Sequence, residues 1–194
     1  MATWTAIGSI ILLQSQTHAM TGSGGYDTGA LRSNPVLKLT ASGAYGLDDG
    51  AWVMDRHHRH HPESQYWHAE DVLSFGFTSH YRHMTSLFGP IPLGIGGENV
   101  IVECSSIVTL EDIAGGIRIE GQSGSLDLTG PAVAEPCVEF TRFMTQKPAA
   151  SAHEIKPYRE QLKHGVRGFV VGVPDGAPFD VAVGDTVWRR SDLA

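Results

Sequence analysis

Cysteine is scarce. The 194-residue chain has two, Cys104 and Cys137, too few for a disulfide scaffold and consistent with a reducing, cytoplasmic setting. Two thiols also cannot assemble a four-cysteine iron–sulfur site, so no iron–sulfur cluster is expected. A positive excess is missing as well: 14 basic residues face 21 acidic ones, for a net charge of −7. That balance argues against a general nucleic-acid binder or a protein drawn to anionic membranes. Long apolar runs are absent. The stretch Ile7–Leu13 is too short to span a bilayer, and no basic segment precedes it as in a secretory leader. No internal repeat and no linker is visible, so a single domain over residues 1–194 is expected.

What is abundant is glycine, 23 residues, with ten prolines. Many turns imply many short strands. The expected fold class is mostly β with a few short helices. A hydrophobic content of 41 % supplies an ordinary globular core.

Ile7–Gln14 reads as a buried first strand, and Val36–Thr40 alternates as a half-buried strand should. Thr21–Gly29 is rich in Gly and Ser but lacks the Gly-Lys-Ser/Thr ending of a phosphate loop, so it is read as a flexible connection. Ala69–Leu87 is read as a long helix, interrupted at Gly76. Val100–Cys104, Ile107–Leu110, Ile117–Glu120 and Leu126–Leu128 follow as short strands whose 8–12-residue spacing suggests a barrel or folded sheet. Ser151–Glu154 resembles a capping box, and Pro157 with Gly165 brackets a second short helix striped by Tyr158 and Leu162. Arg167–Val173, Phe179–Val183 and Thr186–Arg189 close the chain as strands, with Pro174-Asp175-Gly176 as a turn.

Two stretches carry chemistry. Asp55–Pro62 holds four histidines, and His57 and His61 would share a face if the segment were helical, as metal-binding pairs do. No cysteine or acidic partner stands at the spacing of a zinc motif. Gly130–Met144 holds Cys137 after Pro136, a residue suited to the first turn of a helix. Cys137, Phe140 and Met144 then fall on one face. The thiol is expected near the positive end of that helix, where the thiolate is favoured. Cys104 ends an apolar strand and is read as structural.

Four pieces in order resemble a MOSC domain, the family named after the C-terminal domain of molybdenum cofactor sulfurase. Met54-Asp55-Arg56-His57 is similar to its Gly-Asp-x-His segment, with methionine for glycine. Gly97-Glu98-Asn99-Val100 is similar to Gly-Glu-Asn-Leu, and Glu135-Pro136-Cys137 to the Pro-Cys that carries the family's cysteine. Gly165-Val166-Arg167-Gly168, followed by Gly184-Asp185-Thr186-Val187, resembles the closing Gly-x-Arg-Gly and Gly-Asp-x-Val. The pieces span about residues 30–190.

The resemblance implies a barrel-like β core. It also implies a cysteine that either carries sulfur as a persulfide or binds molybdenum of a pterin cofactor (molybdopterin), and at family level it touches pyridoxal phosphate binding. Cys137 would be the catalytic group and the metal ligand, with Asp55 and His57 as catalytic partners and His57 moving a proton. Glu98, Asn99, Arg167 and Arg142 would be the cofactor-binding residues, Arg167 matching a pterin phosphate with its guanidinium fork. The enzymatic versions are a sulfur transferase, fed by a cysteine desulfurase, or a molybdenum-dependent oxidoreductase that reduces N-hydroxylated compounds with an electron-donor protein. The alternative is a non-catalytic module that keeps the fold and binds a small molecule or metal.

Overall fold

The computed structural model describes residues 3–22, 25–64, 67–176 and 178–191. The first half holds β1 (Thr3–Gln16), β2 (Thr21–Gly22), β3 (Gly25–Tyr26), β4 (Leu31–Asn34), β5 (Val36–Thr40), β6 (Gly43–Asp48) and β7 (Ala51–Met54). Then come β8 (Leu73–Phe77), α1 (Thr78–Phe88), β9 (Val100–Val102), α2 (Leu110–Ile113), β10 (Ile117–Gly121) and β11 (Gly124–Val133). The chain ends with α3 (Val138–Met144), α4 (Ala152–Gln161), β12 (Phe169–Gly172), β13 (Phe179–Ala182) and β14 (Thr186–Ser191).

Seven strands close into a barrel in the order β1-β14-β10-β11-β12-β8-β9, with β9 returning to β1. The long β1 makes this closure. Its first half pairs with β14 and its second half with β9 and β4, with register shifts after Ala6 and Ile10. Such irregularities bend a strand around a barrel corner. A second sheet, β13-β5-β6-β7, lies beside it and delivers the chain at Met54 to the Asp55 turn.

The two-residue period of β9 shows how the core divides. Val100 and Val102 point into the barrel with Phe75, Phe77, Phe169 and Val187, all buried. Ile101 points the other way, into a second cluster with Tyr81, Met84, Phe140, Met144 and Leu162 beneath α1 and α3. The cleft opens on that helical side.

Three expectations need correction. Leu73–Phe77 is a strand and only Thr78–Phe88 is helical; Leu73, Phe75 and Phe77 alternate into the barrel, and that burial outweighs the helical reading. Ile107 lies in a loop and Leu110 opens α2, because the Thr109–Asp112 capping box starts a helix there. Pro157 lies inside α4, which starts at the Ser151–Glu154 box. The expected strands at Val36–Thr40 and Ile117–Glu120 form in place. No described helix is long and apolar enough to cross a membrane.

Candidate functional site

A cleft of about 340 Å³ gathers residues from across the chain, among them Tyr26, Arg56, His57, Asn99, Cys137 and Arg167. Two glutamines of β1 brace it, Gln16 from its lining and Gln14 from behind. Gln14 Nε2 donates to Gly94 O at 2.7 Å, and Gln16 Nε2 to Gly97 O at 2.9 Å. Both side chains are buried, and together they pin the Gly94–Gly97 loop that precedes Glu98 and Asn99. Gly97 takes φ +84°, and a Cβ there would meet Met20 Sδ at 2.6 Å, so the motif needs glycine at this point.

Asp55 is buried beneath the cleft. Its Oδ2 accepts from Gln16 N at 2.7 Å and Asn99 Nδ2 at 3.1 Å. Its Oδ1 accepts from His57 N at 2.8 Å and His57 Nδ1 at 3.1 Å. Burial opposes ionisation, yet the hydrogen bonds and charge from His57 and the bond from Gln16 N hold this carboxyl below the usual range. The carboxylate on Nδ1 orients the ring, and the His57 side chain is 51 % exposed and borders the cleft.

Asn99 uses its whole carboxamide. Oδ1 accepts from Ser74 N and Ser74 Oγ, and Nδ2 also donates to Gln14 O at 3.2 Å. The residue therefore ties β1, β8 and the Asp55 turn together. Glu98 is equally committed. Its Oε1 pairs with Arg167 Nη1 at 2.8 Å, and its Oε2 accepts from Tyr81 Oη at 2.6 Å. Arg167 Nη2 donates to Gly96 O, and its guanidinium lies 4.8 Å from the Phe140 ring centroid. The Gly168 that follows has φ +116°, and a Cβ would lie 2.3 Å from Phe75 O, so the closing Gly-x-Arg-Gly segment packs backbone on backbone.

Cys137 is the N-cap of α3, and Phe140 N–H donates to its sulfur at 3.3 Å. Phe140 and Met144 are buried beneath the helix, while Cys137 is exposed and borders the cleft. The expected thiolate preference does not hold. Crowding of the sulfur by the cleft wall pushes the thiol up and Glu139 adds to this, outweighing the Phe140 N–H and Arg167. The residue as a whole still reaches solvent, so the effect is one of partial desolvation. A seven-residue helix adds little dipole to counter it.

The other sequence candidates lie elsewhere. Arg142 Nε donates to Ala150 O at 2.8 Å, and Arg142 does not border the cleft. The His57–His61 segment is a run of turns, so the helical face expected for the pair does not form. His58 is buried against Tyr45 and accepts from His60 N at Nδ1. Among the described residues no group of three or more His, Cys, Asp or Glu could hold a metal ion. Cys104 is buried and donates to Ser106 O, as a structural cysteine would. The Gly-rich stretch read as a mere connection supplies Thr21 and Tyr26 to the cleft; Ser23 and Gly24 lie outside the described residues. Gln14, Gln16, Ser74 and Tyr81 were not singled out in the sequence, because no local pattern marks them.

No family model matches the sequence, and no curated protein matches it. Solved structures do match. The YuaD protein from Bacillus subtilis aligns over 100 % of both chains with a TM-score of 0.59 at 16 % identity. A hypothetical protein aligns over 97 % of this chain and 71 % of its own, with a TM-score of 0.57 at 14 % identity. YiiM from Escherichia coli aligns over 96 % of this chain and 71 % of its own, with a TM-score of 0.50 at 14 % identity. At such identities the likeness is one of fold, and the fold is MOSC-like.

Proposed function

We propose that this chain is a MOSC-type sulfur carrier whose working group is Cys137. The observation that carries the reading is a free, exposed thiol bordering a cleft, with its sulfur accepting a helix N–H from Phe140. In the loading step Cys137 gives its proton to His57 and attacks the outer sulfur of a donor persulfide, such as that of a cysteine desulfurase. The donor's S–S bond breaks, a new S–S bond forms on Cys137, and the donor leaves as a thiolate that takes a proton. Sulfane sulfur moves without net oxidation. The raised thiol makes a base necessary, and the Asp55–His57 pair supplies one beside the same cleft.

A molybdenum pterin fits these residues at one point only. Cys137 is a suitable soft ligand. Glu98 and Asn99 spend their side chains inside the protein, Arg167 is tied to Glu98 and Gly96, and Arg142 lies off the cleft. Sulfur carriage is therefore the better supported of the two. Its test is the intact mass of untagged protein after incubation with a desulfurase and cysteine. A sulfur-atom addition mapping to Cys137 and absent from Cys137→Ala supports carriage. Molybdenum at stoichiometric content from a cofactor-making host, lost in Cys137→Ala, would overturn it in favour of the cofactor reading. Neither signal from a folded protein would leave a binding module.

A further inference from the structure

Of the two arginines that border the cleft, Arg167 is hydrogen-bonded to buried groups, whereas among the described residues the Arg56 guanidinium meets only the exposed carboxylate of Glu63. Its root is fixed: Arg56 N donates to Gln16 O at 2.8 Å, and its neighbours Asp55 and His57 are both held. The side chain is 17 % exposed, and its Nε is buried without a hydrogen-bond partner. Among the described residues its ion-pair partner is Glu63, 3.3 Å away and itself 53 % exposed. Arg167, by contrast, is satisfied by buried Glu98. Arg56 Nε is itself the atom that faces Glu63 Oε2, at 3.3 Å without hydrogen-bond alignment, so among the described residues the guanidinium is held only by a half-exposed carboxylate that a ligand's oxyanion can replace. The acids that share the cleft, Asp71 and Glu135, are exposed, where water screens them.

We propose that Arg56 is the anion anchor of this cleft. It holds an oxyanion group (carboxylate, sulfonate or phosphate) of a small molecule whose thiol-reactive atom then lies at Cys137, and Glu63 occupies the guanidinium when no ligand is present. The cleft volume of about 340 Å³ stands at the small end of ligand pockets, which suits such a molecule. The inference rests on the reading of Cys137 as the working thiol and names the class of compound that reaches it.

Charge-matched methanethiosulfonates test it. Cys137 sulfur takes the thioalkyl group of the reagent, and methanesulfinate leaves with the electron pair of the broken S–S bond. Rates at Cys137, read by peptide mass, are compared for 2-sulfonatoethyl and 2-trimethylammonioethyl reagents at low ionic strength. The anionic reagent is expected to be faster by roughly tenfold or more. That preference should collapse in Arg56→Gln, persist in part in Arg56→Lys, and grow in Glu63→Gln. Equal rates for both reagents in the unaltered protein, or a preference unchanged in Arg56→Gln, would overturn the anchor and leave the thiol reading intact. No reaction at Cys137 with either reagent would count against the thiol reading instead. The anchor is then read separately from the Tm change with ethanesulfonate against chloride at equal ionic strength: a rise lost in Arg56→Gln supports it, and no difference overturns it.

Discussion

The carboxamide of Asn99 and the carboxylate of Asp55 meet at 3.1 Å beneath the cleft, joining two segments 44 residues apart. Through this bond the Gly-Glu-Asn segment sets the position of the histidine that borders the cysteine's cleft. Asn99→Ala removes that bond, strips Ser74 N–H of its acceptor and takes away a bond to Gln14 O. Several buried groups are left unpaired at once, so we expect a loss of about 2–4 kcal/mol in urea unfolding. Asn99→Asp keeps the shape but sets a second carboxyl against Asp55; it should destabilise at neutral pH and recover in part as the pH falls. An Asn99→Ala protein as stable as the parent would show that Asn99 does not brace the site.

Glu98 and Arg167 form a buried pair from motifs 69 residues apart. Glu98 is fully buried while Arg167 reaches the cleft, so removing Arg167 leaves an uncompensated buried carboxylate and costs up to about 3–5 kcal/mol, removing Glu98 costs less, and replacing both with apolar groups costs far less than the sum. Arg167→Met should be the more severe and Glu98→Leu the milder, and the double variant should recover much of the loss. Strict additivity across this cycle would mean that the two charges do not interact. Tyr81, whose hydroxyl donates to Glu98, limits the recovery because its bond is lost in the double variant too.

These two clasps explain what was legible in the chain. The quoted motifs contain Asp55, Glu98, Asn99, Cys137 and Arg167, and the fold brings all five to one region. Their patterns could not say whether each side chain faces a ligand or the protein. Asn99 and Glu98 prove to face inward, toward Ser74 and Tyr81, which no local signal tied to them. Short strands with a clear two-residue period, such as Val36–Thr40, were readable because their faces differ. Leu73–Phe77 was not, since a barrel strand followed directly by an amphipathic helix merges into one apolar stretch. The thiol of Cys137 was misjudged for a related reason: helix position is local, while the cleft wall that desolvates it comes from distant segments.

His80 supplies a pH-dependent contribution outside the cleft. It is buried against Phe77 and Phe169, and Nε2 meets Val108 O at 2.9 Å. Burial pulls its pKa down to about 4 from 6.5, with His83 adding to this and the Val108 bond opposing. Below pH 6.5 the unfolded chain binds a proton that the folded chain refuses, so stability falls with pH until both forms are protonated near pH 4. Between pH 7 and pH 5 this one group should remove about 2 kcal/mol, at 1.36 kcal/mol per pKa unit. His80→Asn should start less stable and lack this decline. Parallel pH profiles for the two proteins, measured by urea midpoints, would sink the assignment.

Cys137→Ser separates the fold of the site from its chemistry. The cysteine sulfur occupies the N-cap of α3 and accepts from Phe140 N–H at 3.3 Å. Serine is among the preferred residues at that position, and its oxygen forms the stronger bond. The substitution should therefore leave Tm unchanged or raise it slightly, by no more than about 1 kcal/mol in stability. Sulfur loading should disappear, because a hydroxyl at neutral pH neither attacks a persulfide nor retains its sulfur. Cys137→Ala should lose the same chemistry and also lose the cap, costing up to about 1 kcal/mol. The contrast matters because the exposed thiol could be kept merely to cap the helix. If Cys137→Ser keeps full cellular or sulfur-transfer activity, the cap is the whole role of this residue, and the cleft must act through other groups.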